Sequence, residues 1–269
     1  MFCNNPIRLF EGGNIMKMPV LFVGHGSPMN AIENNEFTRT WKELGKVLPK
    51  PEAILAISAH WYTEGTRTSD AEVPAMIYDM YGFPEELYEL KYPVKGSPVL
   101  ANKIKSRIGE HLIFDNRFGI DHGSWSVLCQ MYPEADIPVV QLSVNCNEPA
   151  RKHFEMGEAL KVIREEGVLI FASGNVVHNL ALVNWNMAGG YEWAQEFDDY
   201  IKFSILHRNL DAVIDWHTAG SSADKAFYTP DHYYPLLYAL GASEASDETE
   251  VFNDKCIMGA MSMTGYLFK

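Results

Sequence analysis

Short apolar runs alternate with amphipathic stretches along most of the chain. Pro19–Val23, Ala53–Ser58, Pro138–Val144 and Val168–Ala172 are rich in Val, Ile and Leu and lack polar alternation. That is the pattern of strands covered on both faces. Ile257–Phe268, with Ile257, Met258, Met261 and Met263, is predicted as a final strand. Between the runs lie helical stripes. Met156, Ala159, Leu160 and Ile163 recur at helical spacing, with Asn147 as the expected N-cap, Pro149 in the first turn and Gly167 as the C-cap. Trp193, Phe197, Tyr200, Ile201 and Ile205 form a second stripe, Leu100, Ile104 and Ile108 a third, and Glu36–Val47 is predicted as another helix.

Strands interleaved with helices predict an α/β fold: a single three-layer α/β/α domain over residues 18–269, with a mixed, largely parallel central sheet. Residues 1–17 carry Asn, Gly and Pro without a period and read as a loosely held N-terminal extension, with Met16 or Met18 as alternative starts. In such sheets ligands gather at the carboxyl ends of the strands.

Charge narrows the partners. The 22 basic and 35 acidic side chains leave a formal net charge of −13. This disfavours a broad nucleic-acid footprint or binding to an anionic membrane, since both need positive surface. No stretch approaches the roughly 18 apolar residues of a membrane span. The cysteines, Cys3, Cys129, Cys146 and Cys256, form no C-x-x-C pair, and in a chain of this length they are expected as free thiols in a reducing cytoplasm.

The histidines carry the chemical signal. His25 directly follows the first apolar run, His60 the second, and His178 lies shortly beyond the fourth. His122, in Asp121-His122-Gly123-Ser124-Trp125, and His232, in Pro230-Asp231-His232-Tyr233-Tyr234, precede apolar helical stretches. Imidazole suits zinc or iron, and a catalytic metal keeps open positions beside its protein ligands. Asp121 and Asp231 are placed to orient neighbouring rings. Gly24 and Gly26 suit a tight turn after the first strand. His111, His153, His207 and His217 sit in charged stretches and read as solvated, as does the Glu244–Glu250 run; Trp61, Trp125 and Trp185 read as core or pocket wall. The chain has no P-loop, dinucleotide fingerprint, nucleophile elbow or H-E-x-x-H motif. The residues alone therefore imply a metal site built from strand-end histidines. They leave open a zinc hydrolase, a tetrapyrrole chelatase, a metal-storing module and an oxygenase.

Five ordered segments resemble one family: Leu21-Phe22-Val23-Gly24-His25-Gly26-Ser27-Pro28-Met29, Ser58-Ala59-His60-Trp61, Asp121 to Trp125, Ala172-Ser173-Gly174-Asn175-Val176-Val177-His178-Asn179, and Thr229 to Leu237. They look like the DODA-type branch of the class III extradiol ring-cleaving dioxygenases, nearest its bacterial members. The resemblance runs from about Met18 to the C-terminus. It implies that His25, His60 and His232 are metal ligands, the last standing where many relatives have glutamate. It implies that His178 and His122 act as acid/base residues, with ferrous iron as the working metal and zinc often found in isolated protein. The implied substrates are a DOPA-like catechol and dioxygen. Ser27, Trp125 and Tyr233 are expected in the substrate pocket.

Overall fold

The computed structural model describes residues 17–269; apart from Lys17, the extension at 1–17 lies outside them, as do Met16 and Cys3. Ten strands follow in chain order: β1 Val20–Gly24, β2 Ala53–Thr63, β3 Arg67–Thr68, β4 Ile113–Phe114, β5 Val139–Asn145, β6 Val168–Gly174, β7 Thr249–Phe252, β8 Cys256–Ile257, β9 Met261–Ser262 and β10 Gly265–Phe268. The α-helices are α1 Glu36–Val47, α2 Glu85–Glu89, α3 Pro98–Ile108, α4 His122–Met131, α5 Ala150–Leu160, α6 Glu192–Leu206, α7 Leu210–Ile214, α8 Ala223–Ala226 and α9 Tyr234–Ala242. No described helix is long and apolar enough to cross a membrane.

Eight strands form one sheet in the order β4-β3-β5-β2-β6-β1-β10-β7. Its centre, β5-β2-β6-β1, is parallel, and antiparallel pairs join β3 on one side and β10 and β7 on the other. Helices cover both faces. Val20, Phe22, Leu55, Ile57, Ile170 and Ala172 pack beneath α3, α5, α6 and α9. The alternate residues Leu21, Val23, Ile54, Ala56, Leu169 and Phe171 pack against Trp41 of α1 and Trp125 and Leu128 of α4. Each strand therefore buries its odd and even residues against different layers, which is why its sequence is apolar without alternation.

α1 occupies the expected residues, and Asn35 caps it by accepting from the N–H groups of Phe37 and Thr38. Other expectations need correction. Asn147 does not cap α5; the cap position is Pro149, and the buried positions of α5 are His153, Gly157 and Leu160, while Ala159 is exposed. The helix lies backbone to backbone on α9. A Cβ on Gly157 would fall 2.3 Å from Tyr238 O, and one on Gly241 would fall 2.0 Å from Phe154 O. Small residues make this contact, so an apolar stripe does not mark it. Gly167, in the left-handed region at φ 78°, ends the 3-10 turn that continues α5.

The predicted final strand is broken twice, by a turn at Met258 and Gly259, both with positive φ, between β8 and β9, and at Met263–Thr264 between β9 and β10. The acidic run is not a solvated loop: Asp247 is buried against Arg164, Nη1 to Oδ2 being 2.7 Å, and β7 begins at Thr249. His153 is buried rather than solvated, stacked on Tyr234 at 4.1 Å. Trp185 is neither core nor wall, being 68% exposed.

Candidate metal centre

The ends of β1 and β6, an irregular stretch inside β2 and one turn converge on the histidines; His60 lies within β2 rather than beyond it, because the strand resumes pairing at Tyr62. The backbone N–H of His25 donates to Gly174 O at 3.1 Å, extending the β1–β6 ladder by one step. Gly26 then turns the chain at φ 62°, and a Cβ there would meet Met263 Sδ at 2.5 Å. His60 sits where β2 departs from regular pairing. Ile57 pairs with Leu142 and Tyr62 next with Val144, so β2 carries extra residues between the two. Bulges of this kind re-aim side chains near functional sites. Ser58 Oγ holds the irregular segment by accepting from His60 N at 3.3 Å and donating to the buried Asp121 Oδ1 at 2.7 Å. The turn before α9 brings His232 over the end of β6, where its carbonyl accepts from Asn175 N at 2.9 Å.

A ligand atom from each of His25, His60 and His232 lies within 4.8 Å of the others. His25 Nε2 and His60 Nε2 face each other at 3.1 Å. Each ring has a partner at Nδ1: Ser173 Oγ at 2.9 Å for His25, Asp79 Oδ2 at 3.1 Å for His60, and Asp231 Oδ2 for His232. Ser173 donates its own hydrogen to Gly123 O at 2.5 Å, so it can only accept from His25 Nδ1–H. That leaves the His25 Nε2 lone pair unprotonated. His232 Nε2 is buried without a hydrogen-bond partner. An orphaned buried nitrogen is costly in a purely structural cluster, and it fits a site that takes a divalent metal. Burial first, and then repulsion from the neighbouring imidazoles, holds His25 and His232 well below the usual histidine pKa. Both rings are neutral at pH 7, as ligation requires.

His178 lies flat on His232, with centroids 3.5 Å apart and planes within 6°. Its backbone N–H is anchored to Ala226 O at 2.8 Å. Burial pushes its pKa down to about 4, opposed in part by Asp231. His122 opens α4, with its ring 3.9 Å from that of His60. The expected partnership of His122 with Asp121 does not form. Asp121 instead caps α4 by accepting from Ser124 N at 3.2 Å, and it binds Ser58 and Gln141. Burial raises its pKa to about 6. The Asp231–His232 partnership does form.

Trp125 and Tyr233 are both fully buried. Trp125 Nε1 donates to Ile77 O at 2.8 Å behind His122, and Tyr233 Oη donates to Val213 O at 2.8 Å. Trp125 therefore backs His122, while Tyr233 packs among Phe197, Trp216 and Phe227, and neither presents an open ring face. Ser27 is half-buried, and its hydroxyl caps the turn after His25 by accepting from Met29 N at 3.2 Å.

Two site residues escaped the sequence reading. Ser173 stands inside a quoted segment without an assigned task. Asp79 lies in an irregular stretch between β3 and α2, far in sequence from either histidine it meets. Only its spacing from the fold's strand ends would have marked it, and sequence does not reveal that spacing.

Imidazoles gathered at one edge of a doubly covered α/β sheet form a group that could hold a metal ion. Residues 19–269 match the family described as the catalytic LigB subunit of aromatic ring-opening dioxygenase, and the chain belongs to that family of extradiol ring-opening enzymes. It is 44% identical to the 4,5-DOPA dioxygenase extradiol of Escherichia coli K12 over 92% of this chain and 93% of that protein. The protein of the same name from Beta vulgaris is 36% identical over 92% of this chain and 95% of its own length. A crystal structure of an uncharacterized Escherichia coli K12 protein superposes with a TM-score of 0.82 at 39% identity, covering 94% of this chain and all of that one (100%). Family membership selects ring opening over the hydrolase, chelatase and storage readings.

Proposed function

We propose that this chain cleaves a DOPA-like catechol beside its two hydroxyls, inserting both atoms of dioxygen to give a muconic semialdehyde. One observation carries the reading: three imidazoles whose Nδ1 atoms are occupied converge at one edge of the sheet, with two further histidines against them. The name of the Escherichia coli relative supports the catechol class.

His25, His60 and His232 would hold ferrous iron, which supplies the electron transfer to dioxygen that a redox-inert metal such as zinc cannot. Three neutral ligands leave the charge of a divalent ion undiminished, which favours a catechol bound as an anion through both oxygens. His178, kept neutral by burial, is the base for a catechol hydroxyl proton. His122 holds the second proton-transfer position, returning a proton as the ring opens. Ser27 lines the pocket after His25, with Trp125 holding its wall from behind. A cytoplasmic setting accords with the free thiols of Cys129, Cys146 and Cys256.

The test is anaerobic reconstitution with ferrous iron, followed by an oxygen electrode with DOPA and a panel of catechols. Oxygen uptake matched by a yellow product is expected, whereas bound iron with no uptake on any catechol would overturn the proposal. In the same assay His60→Ala should lose the metal. His178→Ala should keep it and lose at least about 100-fold in turnover, the usual contribution of a positioned acid or base. Normal turnover with full metal in both variants would reverse the assignments.

A further inference from the structure

Asp198, on α6, is a fully buried carboxylate outside the metal centre. Among the described residues it accepts from two hydroxyls alone: Ser262 Oγ at 2.5 Å on Oδ1 and Thr264 Oγ1 at 2.7 Å on Oδ2. Lys202, one turn further on, pairs with Asp199 and Asp254 instead. Burial pushes the Asp198 carboxyl up to about 6, against the pull of the two hydroxyls. A buried carboxylate without a paired cation costs stability. An apolar side chain would serve α6 better if Asp198 only filled space.

What Asp198 holds is the strip of chain that grips His178. Ser262 N donates to Val177 O at 2.9 Å, and Ser262 O accepts from Asn175 Nδ2 at 2.6 Å. Asn179 N donates to Ala260 O at 3.0 Å. The strip therefore binds the chain on both sides of His178. Thr264 N donates to Ser262 Oγ at 3.2 Å, so the two hydroxyl residues and Asp198 close on one another. The His178 ring makes no hydrogen bond to any described residue. Its place is set by the backbone beneath it and by the stack on His232. Asp79 differs in kind: it stands beside the rings of His60 and His122, with Oδ2 3.1 and 3.0 Å from their Nδ1 atoms. From this geometry we infer that Asp198 is a positioning residue for His178, acting through Ser262, Thr264 and the backbone they hold. The inference rests on reading His178 as the base. A proton-transfer group displaced by about 1 Å can lose about 100-fold in rate.

Asp198→Ala removes both acceptors. Asp198→Asn keeps one, and its NH2 can donate to the second hydroxyl, so it should rescue the strip. Proton spectra of the metal-free protein, labelled at histidine, should show the His178 ring shifted upfield by its stack on His232. Asp198→Ala should lose that shift, Asp198→Asn should keep it, and the His153 ring, stacked on Tyr234 elsewhere, should stay put in both. In the iron-loaded enzyme with DOPA, Asp198→Ala should lose about 10- to 100-fold in kcat, with KM and cobalt(II) affinity within about twofold of wild type. A wild-type spectrum without the upfield shift would overturn the inference before any variant is made. Unmoved His178 signals in Asp198→Ala, or kcat within about twofold of wild type, would overturn it too. Equal losses of kcat and cobalt affinity in both variants would mark a general loosening of the fold and also overturn it. If Asp198→Ala does not fold, Thr264→Val carries the same test by removing one of the two donors. His178→Ala is assayed alongside. If it turns over normally, the reading of His178 as base has failed, and the ring signals alone decide whether Asp198 places it.

Discussion

His153 and His178 are both buried histidines with pKa values driven down to about 4, and their settings differ. His178 stacks on a metal-ligand candidate at the sheet edge. His153 lies inside the α5–α9 interface, with Nδ1 3.2 Å from Tyr238 Oη and Nε2 3.3 Å from Glu148 O. The carbonyl can only accept, so Nε2 carries the proton and Nδ1 accepts from the Tyr238 hydroxyl. A second proton would break that pairing. The unfolded chain takes up this proton near pH 6.5, and the folded one resists until about pH 4. Stability from this group is therefore complete above the unfolded value and falls as pH drops through the window from 6.5 to 4. His153→Gln should flatten that slope, so that wild type loses about 2 kcal/mol more than the variant between pH 7 and pH 5. Urea denaturation at the two pH values measures this, and parallel losses in both proteins would show that His153 does not titrate as argued.

Whole elements were legible where both of their faces are covered. β1, β5 and β6 are buried along their full length, and their apolar runs were visible for that reason. The two-residue strands β3 and β4 and the partly exposed edge strand β7 bury too little to leave a run. Contacts made through missing side chains were also invisible. At the end of β6, Gly174 permits the turn carrying His232 to approach, and a Cβ there would fall 2.1 Å from His232 O. Backbone cannot yield such a distance cheaply. Gly174→Ala should cost at least about 2 kcal/mol of stability or displace His232 and weaken metal binding. Thermal unfolding and cobalt titration report the two consequences, and a variant normal in both would refute the close approach.

Across the whole molecule, a buried ion pair joins segments distant in sequence. Arg164 donates from Nε to Met18 O at 2.7 Å, and from Nη1 to Ala242 O at 2.9 Å and Asp247 Oδ2 at 2.7 Å. Lys17 Nζ meets the same carboxyl group at 2.7 Å. This knot ties the chain entering β1, the end of α9 and the approach to β7 beside the turn that ends α5. Asp247→Ala would leave the guanidinium buried without its counter-charge, a defect that costs about 3–5 kcal/mol. Denaturant melts should show that loss, and a change below about 1 kcal/mol would mean that water or the carbonyls suffice for Arg164.

The sequence by itself determined the covered strands, the capped helix α1 and the placement of His25, His60 and His178 just beyond apolar runs, because burial and turn chemistry are local properties. It also carried the ordered segments that mark the family. The three-layer arrangement then followed from alternating strand and helix signals. Tertiary structure alone decided that His153 is buried, that Asp121 braces Ser58 rather than His122, and that Asp79 faces two histidines. Each of these depends on which distant backbone approaches within hydrogen-bond reach. A carboxylate between β3 and α2 has the same local sequence signature whether it meets solvent or imidazole. Only the folding of the irregular segment of β2 and the start of α4 onto that loop gives Asp79 its partners.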